Sequence, residues 1–266
     1  MYPRLLLIII LYSATILRAE ELSRDDKCVD AGLETISQEV NGALHLGNAS
    51  LFLTRRPDLE NDLIDLQYIA KAASLPPGVK LTLAPIEIFE IGQGGYKVHN
   101  DRVEEAQVDL DDAPTWRIAY NRLTKDIFHL YGFPDSRAGF NGLIGQLGLT
   151  VDTESLAVDV QSTFVKLTYL DSSDDEVRDE LQLMKAAVKN YGGQPRSVTA
   201  YIKFWNKCPL TVRTQIAPPS ASKTLDGIRV TFFTEVGRTI SRTTIAVTHD
   251  GHVGSLESKQ LFVWPK

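Results

Sequence analysis

Apolar residues recur at Val177, Leu181, Met184, Val188 and Tyr191, in alternating steps of four and three, which draws one stripe down an α-helix. Ser173-Asp174-Asp175-Glu176 stands ahead of the stripe as a capping box, with Asp174 and Asp175 where the helix dipole favours negative charge. Gly192-Gly193 and Pro195 end the helix near Asn190. On one side, residues 163–170 (TFVKLTYL) are rich in β-branched and aromatic side chains. On the other, residues 197–205 (SVTAYIKFW) alternate Val198, Ala200, Ile202 and Phe204 with Thr199, Tyr201, Lys203 and Trp205, and both segments predict strands. Residues 161–207 therefore read as strand, helix, strand, the unit around which the rest is organised, with a right-handed crossover for parallel neighbours.

Two further helical stripes precede it, one at Val29, Leu33, Ile36 and Val40, the other at Leu59, Leu63, Leu66, Ala70 and Ala73. Pro57 suits the first turn of the second, and Pro76-Pro77-Gly78 ends it. Residues 80–91 alternate like a strand, which Pro85 relegates to an edge or bulged position. Trp116, Ala119, Leu123, Ile127 and Tyr131 form a third helical stripe, opened by Pro114 and stopped by Gly132 and Pro134. Residues 139–148 (GFNGLIGQLG) hold four glycines among apolar residues, the composition of a packed turn region or of a flexible loop lining a ligand pocket.

Past Cys208, residues 210–216, 228–236, 239–248 and 255–264 read as strands, with Gly237 at a tight hairpin and Asp250-Gly251 as a two-residue turn. Helices early and an antiparallel meander late predict an α+β fold, its helical N-terminal half packed on a mixed or antiparallel sheet. The division is helix-rich over 20–195 and strand-rich over 196–266, in a single domain.

Residues 1–19 carry Arg4, an apolar run from Leu5 and a small residue at Ala19, the pattern of a secretory signal peptide. No second long apolar run follows, so a secreted chain without stable membrane insertion is expected. In an oxidising compartment the pair Cys28 and Cys208 predicts one disulfide. Asn48-Ala49-Ser50 is a glycosylation sequon.

Charge adds an asymmetry that hydropathy does not show. Residues 196–266 hold ten basic side chains against four acidic ones, a net of +6. Residues 20–195 carry 16 basic and 30 acidic side chains, a net of −14. The two halves either neutralise each other or leave a basic face on the C-terminal sheet. On the second reading Arg213, Arg229, Arg238 and Arg242 lie on neighbouring strands, where guanidinium groups bind phosphate or sulfate bidentately. Arg213 and Arg242 have the most polar neighbours.

His249 and His252 flank a turn, a spacing that suits proton shuttling, with no third metal ligand evident beside them. Glu87 and Glu90 fall on opposite faces of a strand and make no carboxylate pair. Asp109, Asp111 and Asp112 lack the glycine and terminal glutamate of a calcium loop, and the glycines at 92–95 lack the following Lys-Ser or Lys-Thr of a phosphate loop. No nucleophile elbow or zinc-protease motif is present, and nothing calls for a cofactor or metal. Two functions are expected in order. The first is binding of a protein or anionic polymer through the C-terminal sheet, as an effector, toxin or other extracellular interaction protein. The second is a secreted hydrolase or transferase acting on a phosphodiester or glycosidic bond, using His249 and His252. A weaker third is small-ligand carriage at 139–148.

Overall fold

The computed structural model describes residues 38, 51–72, 82–93, 95–99, 102–106, 116–168, 176–190 and 197–265. The proposed signal peptide, the helix at 29–40 apart from Gln38, Asn48, Cys28 and Ser173 to Asp175 lie outside them. The fold is α+β, as the chain pattern predicts, but it is built on two four-stranded sheets, both antiparallel.

The first sheet has β1 (Leu51–Arg55), β2 (Ile86–Gln93), β5 (Trp116–Asn121) and β6 (Ile127–Tyr131) in that spatial order, and α1 (Pro57–Ala72) follows β1. A small hairpin, β3 (Gly95–His99) and β4 (Arg102–Ala106), forms its own two-stranded sheet. Helix α1 is where the sequence places it, with Pro57 at its first position and Leu59, Leu63 and Leu66 in the core. Strand β2 is an interior strand, not the edge that Pro85 suggests, because the proline sits one residue before the ladder begins and costs it no hydrogen bond.

The predicted helix at 116–131 is a hairpin. Strand β5 turns Trp116, Ile118 and Tyr120 to one face and Arg117, Ala119 and Asn121 to the other, so a period-2 pattern underlies what looks helical. Its turn is set by Asn121, whose side-chain oxygen accepts from the backbone N–H groups of Leu123 and Thr124.

The glycine-rich segment is also corrected, to helix α2 (Ser136–Leu147) closed by Gly148 at φ 60°. Gly139 and Gly142 face β6. A Cβ on Gly139 would lie 2.0 Å from the His129 carbonyl oxygen, and one on Gly142 would lie 3.2 Å from the Phe128 ring. The glycines let the helix rest directly on the strand. The opposite edge of α2, with Phe140, Leu143, Ile144 and Leu147, fills the core.

Helix α3 (Glu154–Thr168) takes in residues 163–168 of the strand predicted at 163–170, whose last two residues lie outside the described ones, and is the true centre of the molecule. Thr153 caps it by accepting from the N–H of Leu156, and nine of its fifteen residues are buried. It packs against α1, α2, β6 and the second sheet, so almost its whole circumference is covered. The buried Thr163 and Thr168 hydroxyls donate to the carbonyls of Asp159 and Phe164, which lets β-branched residues sit in a buried helix without an orphaned polar group.

Ser173 to Asp175 of the capping box lie outside the described residues, and Glu176 is not in the first turn of a helix. Glu176 forms an isolated bridge to Thr234, and α4 (Glu180–Asn190) starts four residues later, with Asp179 accepting from the N–H of Gln182. Its buried residues are Leu183, Ala186 and Ala187, whereas Leu181 and Val188 of the predicted stripe are exposed. Residues 197–205 and 210–216 are not strands either. Ser197 caps α5 (Val198–Trp205) through the N–H of Ala200, and α6 (Leu210–Arg213) is one short turn after Pro209.

The second sheet is the predicted C-terminal meander: β7 (Ser220–Thr224), β8 (Gly227–Val236), β9 (Thr239–Val247) and β10 (Val253–Val263), in spatial order β10-β9-β8-β7. Gly237 and Arg238, at φ 52° and 78°, close the β8–β9 hairpin in two residues, as the sequence predicts. The β9–β10 connection is longer than the predicted Asp250-Gly251 pair, since Val247 faces Val253. One face of this sheet, through Ile228, Val230, Phe232, Ile245 and Val247, shares the main core with α1, α2 and α3. On the other face, Phe233, Ile240 and Trp264 pack with Leu183, Phe204, Trp205 and Val212 in a second core under α4, α5 and α6. Those helices cover only the hairpin end of that face. Among the described residues no helix is long and apolar enough to cross a membrane.

Candidate functional site

The uncovered part of the second sheet's outer face is built by alternation. Register sets Ser222 beside Arg229 and Arg229 beside Ala246. In the next row Ser220, Thr231, Thr244 and Glu257 stand side by side, and in the one after it Arg242 is directly opposite Lys259. Val230 and Phe232 on β8 and Ile245 and Val247 on β9, which alternate with them, point into the main core, and the ladder register carries the same face to β7 and β10. Arg229, Arg242, Glu257 and Lys259 are exposed, and the Thr231 and Thr244 hydroxyls are 3.2 Å apart in a hydrogen bond. Neither Arg229 nor Arg242 has a carboxylate within ion-pair distance among the described residues. A cation directly opposite another, as Arg242 is to Lys259, is an unfavourable cross-strand pair.

The other two predicted arginines are elsewhere. Arg213 ends α6, where its guanidinium lies 5.1 Å from the centroid of Trp205 and 3.6 Å from Glu180, mostly buried against the second core. Arg238 occupies the hairpin turn, and its Nη2 donates to the Pro265 carbonyl at 2.7 Å, tying down the C-terminal segment. The polar neighbours that recommend Arg213 in the sequence, Thr211 and Gln215, belong to a helical turn: the Gln215 side chain donates to the Thr211 carbonyl.

His249 and His252 each meet a carboxylate. His249 Nδ1 is 2.9 Å from Asp152, and His252 Nδ1 is 3.3 Å from Asp250. The Thr248 hydroxyl donates to Asp250 and, ahead of the nearby His252, holds that carboxyl below the usual carboxylate range. Both pairs are largely exposed on a surface loop, and neither histidine lines the groove that opens beside β10. No group of three or more His, Cys, Asp or Glu side chains is placed to hold a metal among the described residues.

That groove, of about 600 Å³, runs between the N-terminal end of α2, the C-terminal end of α3 and β10, with Ser136, Arg137, Asn141, Thr168 and Leu256 in its walls. Two of its polar side chains, Asn141 and Arg137, fasten β10. Asn141 both donates to the Val253 carbonyl and accepts from the Val253 N–H, and Arg137 donates to the Gly254 carbonyl. Residues 139–147 belong to α2, which packs on β6 and the main core, and Asn141 is the residue of that segment that lines the groove.

Cys208 is a free thiol in the second core, fully buried, so the expected bridge to Cys28 is not seen. Burial raises its pKa to about 11 against the opposing pull of the Arg213 charge. Cys208 lies in the turn just after α5, inside an apolar cluster, a context invisible to a count of cysteines. No family model, curated protein or solved structure matches this chain.

Proposed function

We propose that this protein is secreted and acts by binding an anionic polymer through the open face of its C-terminal sheet. The observation that supports it is the presence of Arg229 and Arg242 on the same face, exposed and without ion-pair partners among the described residues. Arg229 is opposite Ala246, and Arg242 is four residues further along β9, a separation of roughly 13 Å along the strand. A single phosphate or sulfate does not span that distance, whereas a chain of repeated anions does. Lys259 beside Arg242 adds a third cation, and the Thr231, Thr244, Ser220 and Ser222 hydroxyls between and beside them offer neutral hydrogen bonds to the same chain. Glu257 is the one acid in these rows, leaving the open face net positive on a chain whose overall charge is −6.

Retention on immobilised heparin and on immobilised RNA across a salt gradient tests this, with Arg229→Ala/Arg242→Ala as the comparison. Salt-sensitive retention of the parent, lost in the double variant, is the expected result. Elution of the parent in the void at low salt overturns the anionic-polymer reading and leaves a protein partner as the alternative.

A further inference from the structure

Strand β10 is the edge of the second sheet, eleven residues long, and it is the longest strand among the described residues. Its start is fastened by Asn141 and Arg137, and its end by Trp264, whose backbone N–H donates to the Arg238 carbonyl. Between these points residues 255–260 are exposed, and their outward backbone groups have no partner among the described residues. Pairing with β9 is regular from Leu256 to Gln260 and is interrupted on both sides, between Val253 and Leu256 and between Gln260 and Phe262. The open edge is thus a regularly paired five-residue template, the kind that another strand extends.

We infer that the occupant of this edge is a second copy of β10, paired antiparallel about a two-fold axis at Ser258. The sequence LESKQ is self-complementary in that register. Glu257 falls opposite Lys259 of the second copy and, by symmetry, Lys259 falls opposite its Glu257, while Leu256 faces its Gln260. All paired residues share a face, because residues directly opposite in an antiparallel ladder do so. Moving the axis to Glu257 sets two glutamates opposite each other, and moving it to Lys259 sets two lysines opposite each other, so charge selects the Ser258 register over its neighbours. The pairing also relieves the unfavourable cationic row: Arg242 and Lys259 gain the second copy's Glu257 as the next member of that row. The product is one continuous eight-stranded antiparallel sheet. Arg229 and Arg242 stay on its open face, and the inference does not depend on their binding an anion.

A five-residue ladder buries little area, so the dimer is weak and concentration-dependent. Sedimentation equilibrium of the purified full chain at about 10 µM to 1 mM tests it, since weak interfaces fall in this range. The parent is expected to approach twice the chain mass at the upper end. Glu257→Lys alone and Lys259→Glu alone each place like charges opposite one another and weaken association about tenfold or more. In an equimolar mixture of the two single variants, the two lysines of one chain meet the two glutamates of the other. The mixture therefore recovers the dimer, as does the double swap in one chain. Both positions are exposed surface sites on a folded strand, and circular dichroism of each variant confirms that the fold is intact. A parent that stays monomeric throughout the range overturns the inference, and so does a dimer indifferent to the single swaps or not restored by mixing them.

Discussion

Arg117 and Glu90 stand directly opposite each other on β5 and β2, with the guanidinium Nη2 2.6 Å from a Glu90 carboxylate oxygen and Arg117 only 1% exposed. The other terminal nitrogen of Arg117 donates to the carbonyls of Lys166 and Leu167 at 2.6 and 3.2 Å, in the last turn of α3. A cation placed at the carbonyl end of the central helix answers its dipole and fills acceptors that would otherwise be orphaned. Glu90 is in turn held by Arg56, at the start of α1. Through Arg117, Glu90 and Arg56 the first sheet is thereby tied to the end of α3 and the start of α1.

Replacing Arg117 with Met is expected to lower stability by about 3–5 kcal/mol, because it leaves Glu90 partly unpaired in the interior and strips two helix-end carbonyls of their donor. The Arg117→Met/Glu90→Met double variant should lose less than the two single losses added together, since the second change removes a charge the first has stranded. Urea unfolding of the four proteins at pH 7 measures this, and strict additivity would show that the pair is not coupled.

The glycines of α2 make opposite predictions on one helix. Gly139→Ala should destabilise by about 1–3 kcal/mol, since its methyl would land 2.0 Å from a backbone oxygen of β6 and the helix must lift away. Gly145→Ala meets only the His252 ring at 3.5 Å, an ordinary contact, so the better helix propensity of alanine should add about 0.5–1 kcal/mol. The shift in thermal midpoint of each variant, opposite in sign, is the readout.

Cys208 gives a pH signature. Its thiol is raised from 9.0 to about 11 in the folded protein, so the native state resists ionisation more than the unfolded one does. A raised folded pKa contributes stability that is complete below the unfolded pKa and is lost as pH climbs through the folded one. Between pH 9 and 11 the parent should therefore lose up to about 2 kcal/mol more than Cys208→Ala does over the same interval. Guanidinium titrations at both pH values measure the difference. At pH 8 the native thiol should also react with a disulfide reagent orders of magnitude more slowly than in denaturant, since it is buried and protonated.

What the chain determined by itself was the local chemistry that needs no partner. Gly237 sets the two-residue hairpin, the alternating segments give β8, β9 and β10, and Pro57 with Leu59, Leu63 and Leu66 gives α1. The α+β class followed from those elements. Tertiary structure decided the identity of the middle of the chain. In α3 the β-branched and aromatic residues Thr163, Phe164 and Val165 favour a strand locally, but burial on nearly every side repays helix formation there, and Thr153 supplies the cap. In α2 the glycines look like loop punctuation until β6 is brought against the helix, at which point only glycine fits at position 139. The arginines divide in the same way. Alternation along β8 and β9 sufficed to put Arg229 and Arg242 on one face, because the two-residue period of a strand is local. Arg213 was drawn into the second core by Trp205, and Arg238 was bound by the carbonyl of Pro265, contacts that form only after distant segments have packed. Hydrophobic period is written residue by residue, whereas which neighbour a side chain meets is fixed by how the layers come together.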